Sequence, residues 1–235
     1  MLYSIVIPCY NEAENIPLLL ERFSQVLKGN TDIEVVLVDN GSTDRTAAIL
    51  DELLPQYPFA VRAAVAVNQG YGHGILTGLR AARGDFLGWT HADLQTDPLD
   101  VVRAVNILKK AEHPKRTYVK GTRKGRPKTD TFFTFGMSVL ELGLTGKWLN
   151  DINAQPNLFS RAFFNKWQDP PKDFSLDLYA FYMAKLYGLT VVRFPVRFPE
   201  RIHGSSKWNT DMRAKWRFIK RTADYSFRLT RKGVK

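Results

Sequence analysis

The sequence predicts an α/β fold: a mostly parallel, Rossmann-like sheet flanked by helices, in a single domain with a basic C-terminal helix. Short runs rich in β-branched residues alternate with longer stretches of helical apolar spacing through the first half of the chain. Polar residues gather where each strand-like run stops, the edge at which open α/β sheets hold their ligands. A length of 235 residues suits one large domain, or one domain and a short appendage, and can bury a full core without staples.

The elements follow in order. Tyr3–Ile7 reads as a strand ending at Pro8. Asn15–Leu27 sets Ile16, Leu19, Leu20, Phe23 and Leu27 on one side of a helix. Ile33–Val38 reads as a buried strand, Thr46–Leu54 as a helix stopped by Pro55, and Val61–Val67 as a third strand. Gly74–Ala82 is a small-residue helix and Asp85–Trp89 a fourth strand. Pro98–Lys110 opens with proline in its first turn, a good start signal. Tyr118–Gly121 is a short strand. The second half is less regular: Leu176–Tyr187 reads as a helix, Thr190–Val196 as a strand, and Asp211–Leu229 as a basic helix bearing aromatics. No internal repeat or low-complexity linker is evident.

Composition narrows the class. The single cysteine, Cys9, excludes an intrachain disulfide and fits a reducing, cytoplasmic setting. The first residues, MLYSIVIPCYNE, read as a strand rather than a signal peptide. Phe132 to Leu149 is the nearest approach to a membrane span, but Glu141, Lys147 and three glycines interrupt it. The net charge of +11 is uneven. From Trp208 to Lys235 nine basic residues face only Asp211 and Asp224, and Lys115 to Lys128 holds seven basic residues and no acid. Such blocks suit lipid headgroups, phosphates or nucleic acid, or form a solvated basic face.

Four strand ends carry the candidate chemistry. Asp39, in Asp39-Asn40-Gly41-Ser42, is suited to accept hydrogen bonds from a base N–H or a ribose hydroxyl; a turn that caps the next helix is the alternative. Asp93 and Gln95 stand two apart after a strand, and both offer oxygens to one hard cation; capping before Pro98 is the alternative for Asp93. The stretch Asn68 to Gly74 is glycine-rich before a helix, with Gly70 and Gly74 as backbone positions facing a donor. It lacks the P-loop lysine, and close helix–sheet approach explains its glycines equally well.

Together IPCYNEAENI, VDNGSTDRT, NQGYGHGI and HADLQTDP, in this order and spacing, resemble the family 2 glycosyltransferases of the GT-A fold, and among them the dolichyl- and polyprenyl-phosphate hexose synthases. The likeness is specific over about the first 125 residues and looser beyond them. It implies an inverting transferase that uses a nucleotide-diphospho-sugar and a divalent metal, Mg²⁺ or Mn²⁺. By the same resemblance Pro8, Tyr10, Glu12 and Asp39 line the nucleoside site, and Asp93 and Gln95 hold the metal. GTRKGR matches the strand and loop that bind an acceptor phosphate, with Arg123 the matching arginine. Asp151 to Arg161 takes the place of the acceptor-side motif. Glu200 to Lys207 resembles the loop whose Arg and Lys, here Arg201 and Lys207, close over the diphosphate. Residues 1–207 would then form the transferase domain, 1–125 its donor half and 126–207 its acceptor half, with 208–235 an appended helix. Two departures stand out: His91 replaces the usual first Asp of the acidic motif, and Gln155-Pro156 replaces Gly-Phe.

The expected reaction is a single displacement with inversion at the sugar C1, the leaving diphosphate stabilised by the metal, Arg201 and Lys207. A lipid phosphate acceptor needs cations to place it, for which Arg123, Arg126 and Lys128 are candidates. A saccharide hydroxyl needs a base, for which Asp151 is the motif-matched carboxylate. The stretch Phe132–Trp148 forms either an interfacial apolar face or a core helix. The C-terminal helix, with Trp208, Trp216, Phe218, Tyr225 and Phe227 among its cations, suits an anionic membrane surface. That places the protein peripherally on the cytoplasmic membrane face. A nucleic-acid-binding module is the distant alternative, and it leaves the Asp39 and Asp93 clusters unexplained.

Overall fold

The computed structural model describes residues 1–125, 127–199 and 212–231, and of residues 128, 130 and 212–218 the backbone alone. Alternating side chains explain why the first strands sit at the centre of the sheet. In β1 (Tyr3–Cys9), Tyr3, Ile5, Ile7 and Cys9 enter one core and Val6 the other. In β2 (Ile33–Asn40), Ile33, Val35 and Leu37 share the first core, and Val36 and Val38 the second. A strand buried on both faces must be apolar at nearly every position.

The remaining elements are α1 (Asn15–Val26), α2 (Thr46–Leu53), β3 (Ala60–Val65), α3 (Tyr71–Ala81), β4 (Phe86–Trp89) and α4 (Pro98–Lys109). After them come β5 (Thr117–Lys124), α5 (Lys128–Thr145), β6 (Asn157–Ser160), α6 (Arg161–Phe164), α7 (Leu176–Leu186), β7 (Thr190–Arg197) and α8 (Met212–Arg231). The seven strands run in the order β3-β2-β1-β4-β6-β5-β7. All neighbours pair in parallel except β6, which is antiparallel to both β4 and β5. Helices α1, α2 and α4 cover one face; α3, α6 and α7 cover the other. From β1 the chain moves outward to β2 and β3, then returns to β4 on the opposite side of β1. That reversal opens a crevice at the carboxyl ends of β1 and β4.

The expected mostly parallel α/β sheet is therefore borne out, with differences of detail, among them the short helix α6 and a third strand that runs Ala60–Val65 rather than Val61–Val67. Strand β6 is not evident in the sequence: Asn157-Leu158-Phe159-Ser160 is four residues long, follows Pro156, and is too short to show alternation. Helix α3 starts at Tyr71 rather than Gly74, because Gly70 takes φ 116° and redirects the chain there. At α4, Asp97 caps the helix by accepting from the Leu99 N–H at 2.9 Å, ahead of Pro98.

Helix α5 is inverted relative to an ordinary core helix. Its buried side carries Ser138, Glu141 and Thr145 beside Met137, whereas Phe132, Phe135, Val139 and Leu142 are exposed. The buried side packs on α8, where Ser226 donates to Glu141 Oε2 at 2.7 Å. The other oxygen, Oε1, is buried and has no partner among the described residues. Burial pushes the Glu141 carboxyl up to about 7 from 4.5. The stability this group contributes is full below pH 4.5 and is lost as pH rises through about 7. Thermal denaturation between pH 5 and 8 should thus show a fall on the order of 2 kcal/mol that Glu141→Gln removes. An unchanged pH profile in the variant would contradict this account.

Candidate functional site

The polar strand ends meet at one edge of the sheet, laced by hydrogen bonds between their loops. After β1, Asn11 adopts φ 58° and its N–H donates to Ser42 Oγ at 3.1 Å, while its Oδ1 accepts from the Thr43 N–H at 2.8 Å. Glu12 N–H donates to Thr46 Oγ1 at 2.9 Å, and a Glu12 carboxylate oxygen accepts from Asn15 Nδ2 at 2.6 Å. Pro8 is half-buried in the last turn of the strand, and Tyr10 is exposed beside it. Gly41 lies against the backbone of Val67 and Asn68, where any side chain would collide. The ends of β1, β2 and β3 thus form one layer.

Asp39 is buried at the end of β2. Its Oδ1 accepts from the Ser42 N–H at 3.0 Å and its Oδ2 from Arg62 at 3.3 Å. Gly70 and Gly74 have packing reasons of their own. A side chain on Gly70 would meet the Lys172 carbonyl, and one on Gly74 the Asn40 side chain. The loop's N–H groups also donate within the protein, Gly70 to Asn68 Oδ1 and His73 to the Lys172 carbonyl, both at 2.8 Å.

Asp93 follows β4 and is buried, with Leu94 held at φ 56°. Its Oδ1 accepts from the Gln95 N–H at 3.2 Å, and the Gln95 amide donates to the Pro199 carbonyl at 3.0 Å. The loop after β7 therefore returns to the metal-candidate loop. Asp93 and Gln95 offer a carboxylate and an amide oxygen, the hard donors a divalent cation takes. Among the described residues no group of three His, Cys, Asp or Glu could hold a metal ion. A cation here would complete its shell with substrate phosphate oxygens and water, as Mg²⁺ commonly does. The donor chemistry fits such an ion.

His91 stacks on Tyr71 with ring centroids 5.9 Å apart, and Tyr71 stacks on Phe174 at 4.8 Å. Beneath them lies a buried polar network. Asp177, in the first turn of α7, receives hydrogen bonds at Oδ1 from Trp89 Nε1 at 3.2 Å, Gln155 Nε2 at 2.7 Å and Asn157 Nδ2 at 3.3 Å. Asn157 Oδ1 accepts from Lys120 Nζ at 2.8 Å and from the Tyr118 hydroxyl at 2.9 Å. Burial raises the Asp177 carboxyl, with Lys120 the main opposing influence, and burial lowers the Lys120 ammonium. Burial, then Asp177 and Asp93, hold the Tyr71 phenol well above its ordinary value. Sequence reasoning missed Asp177, Lys120 and Asn157. A lysine inside the apolar strand Thr117–Lys124 and an acid in an otherwise apolar helix were the available signals.

Arg123, near the end of β5, pairs with Asp151. Its Nε and a terminal nitrogen reach Oδ1 at 2.8 and 2.5 Å, and its backbone N–H reaches Oδ2 at 2.8 Å. Both carboxylate oxygens of Asp151 are thus engaged by one residue. The Arg123 guanidinium also lies 5.2 Å from the Phe198 ring centroid. Arg126, Arg201 and Lys207 lie outside the described residues, as do the Lys128 side chain and, on the C-terminal segment, Trp208 and the Trp216 and Phe218 side chains.

The sheet order and the polar edge are those of the GT-A fold, and solved structures agree. The chain superposes on Mycobacterium tuberculosis glucosyl-3-phosphoglycerate synthase in complex with Mn²⁺, UDP and phosphoglyceric acid, with TM-score 0.73, 20% identity, and coverage of 100% of this chain and 79% of that one. It also resembles a mannosyltransferase from Pyrobaculum calidifontis in complex with GDP-Man and Mn²⁺, with TM-score 0.65, 21% identity, and coverage of 93% and 60%. The glycosyl transferase family 2 model matches residues 4–168, and the chain belongs to that family. The undecaprenyl-phosphate 4-deoxy-4-formamido-L-arabinose transferase of Pseudomonas fluorescens (strain Pf0-1) is 30% identical over 214 residues, 88% of this chain and 60% of that protein. That of Serratia proteamaculans (strain 568) is 31% identical over 164 residues, 67% of this chain and 48% of that protein. The chain therefore spans about 60% of the length of the first of these curated relatives.

Proposed function

We propose that this family 2 glycosyltransferase moves a sugar from a nucleotide-diphospho-sugar to a polyprenyl-phosphate-type lipid, with inversion at C1. The observation that carries the reading is the placement of two buried carboxylates, Asp39 at the end of β2 and Asp93 in the loop after β4, on the same edge of the sheet and on either side of β1. Pro8, Tyr10, Glu12 and Asp39 receive the nucleoside. Asp93 and Gln95 hold Mg²⁺ or Mn²⁺, which supplies charge neutralisation for the leaving diphosphate when bound. Arg201 and Lys207 stand in the sequence where they would close over the same phosphates. Relatives named as undecaprenyl-phosphate transferases support a lipid-phosphate acceptor. An acceptor phosphate oxygen forms the new bond to C1 as the bond from C1 to the diphosphate oxygen breaks. Such an oxygen is already ionised near neutral pH and needs placement rather than a base.

In this reading Arg123 places the acceptor phosphate and Asp151 fixes the Arg123 guanidinium. A carboxylate whose two oxygens already accept from one arginine is poorly placed to deprotonate a saccharide hydroxyl, which favours the lipid phosphate over that alternative. Arg126 and Lys128 extend the basic loop. The exposed apolar side of α5, with Phe132, Phe135, Val139 and Leu142, supports docking on a membrane surface, as do Lys220, Arg228 and Arg231 on α8. Among the described residues no helix is long and apolar enough to cross a membrane.

The test is incubation with labelled nucleotide sugars, polyprenyl phosphate and a divalent cation, followed by solvent extraction. Mild-acid-labile label in the organic phase is the expected result. Label that enters only water-soluble glycan overturns the lipid acceptor and leaves the saccharide reading.

A further inference from the structure

We propose that Arg62 is a positioning residue for the donor: it fixes the Asp39 carboxylate in the orientation that receives the nucleoside. The proposal rests on the donor reading of Asp39 above. Arg62 stands on β3 opposite Leu37 of β2, two residues before Asp39, so its side chain shares the face of Asp39. Its guanidinium bridges two carboxylates, Asp39 at 3.3 Å and Asp51 on α2. The two arms are unequal. The Asp39 side chain is 9% exposed and the Asp51 side chain 66%. An ion pair at an exposed site contributes little, whereas a buried carboxylate depends on each donor it has.

Asp39 has one donor on each oxygen: the Ser42 N–H on Oδ1 and Arg62 on Oδ2. These two bonds fix the carboxylate plane. Each oxygen keeps a lone pair for a base N–H or a ribose hydroxyl. A carboxylate already locked loses no rotamer freedom when the nucleoside arrives, so affinity rises without a new contact to the ligand. The Arg62 Nε is buried and has no partner among the described residues, consistent with a guanidinium held by its terminal nitrogens.

The test is calorimetric titration of the full chain with UDP and with GDP, each with Mn²⁺. Arg62→Gln should raise the Kd of whichever nucleotide binds by about tenfold, an effect of about 1.4 kcal/mol. Asp39→Asn should do the same, and the double variant should bind no worse than either single one. Arg62→Lys, which keeps the charge but not the fork, should fall between wild type and Arg62→Gln. Asp51→Asn should stay within about twofold of wild type. With labelled donor, Arg62→Lys should raise KM and leave kcat unchanged, which a general loss of folding would not do. Wild-type affinity in both Arg62 variants overturns the proposal alone. So does a full further loss when Arg62→Gln is added to Asp39→Asn. If wild-type protein binds neither nucleotide, the donor reading falls and the proposal falls with it.

Discussion

Replacing Asp93 by Ala should lower sugar transfer by roughly 1,000-fold, close to 4 kcal/mol of transition-state stabilisation. In the proposed reaction the leaving diphosphate gains charge as its bond to the sugar C1 breaks, and a divalent cation held by Asp93 and Gln95 would offset that charge. Asp93 is the one carboxylate of that pair, so Asp93→Asn should be nearly as damaging although it keeps the shape. Gln95→Ala should cost less, because a neutral amide oxygen is the weaker ligand. The loss should be specific. Nucleotide binding in chelator should be unchanged, and the added affinity supplied by Mn²⁺ should disappear. Full transferase activity in Asp93→Ala would falsify the metal assignment.

The largest expected stability effect belongs to Asp177. It is buried on α7 and accepts from Trp89, Gln155 and Asn157 on one oxygen. Asp177→Ala takes an acceptor from the buried Trp89, Gln155 and Asn157 donors, leaving Asn157 Nδ2 its bond to Gln155 Oε1 and Gln155 Nε2 a longer one to the Tyr71 hydroxyl, and removes the negative charge that most offsets buried Lys120. Stripping one partner from a buried charged network costs about 3–5 kcal/mol. The denaturation midpoint should therefore drop sharply, and Asp177→Asn should drop it less. Adding Lys120→Met to Asp177→Asn should recover part of the loss, because no buried ammonium then remains uncompensated. Additive losses in the double variant would show that the two groups are not coupled. Activity should fall with Asp177→Asn even where the protein stays folded. Trp89 is the last residue of β4, and Gln155 lies in the loop before β6, so the network joins the strand that leads to Asp93 with the loop proposed to face the acceptor.

The half of the site proposed to hold the donor was legible because its signals are local. Asp39 and Asp93 each follow an apolar run, and each stands in a short motif that can be matched without knowledge of distant residues. The half proposed to hold the acceptor was less so. Asp151 stood out as a motif carboxylate, but its pairing with Arg123, 28 residues away, follows from the meeting of β5 with the loop before β6. The glycines at 70 and 74 allowed two readings from sequence, and the close approach of Lys172 and Asn40 accounts for both through packing. The stretch Phe132–Trp148 was equally ambiguous. Its residues are amphipathic in either reading, and only its contact with α8 shows that the polar side faces inward.

The sequence by itself determined the alternation of strands and helices, the strand-end motifs, the uneven positive charge and the resemblance to family 2. Each of these is written in spacings of a few residues, where periodicity and turn chemistry act directly. Tertiary structure alone decided that β6 runs against its neighbours, that Arg62 holds Asp39, and that Asp177 and Lys120 share a network. Trp89 and Asp177 are 88 residues apart in the chain, and Lys120 and Asn157 are 37 apart. Contacts of that kind depend on the packing of whole layers. A buried polar group settles on whichever partners the packed sheet brings within hydrogen-bonding distance, and no local pattern specifies them.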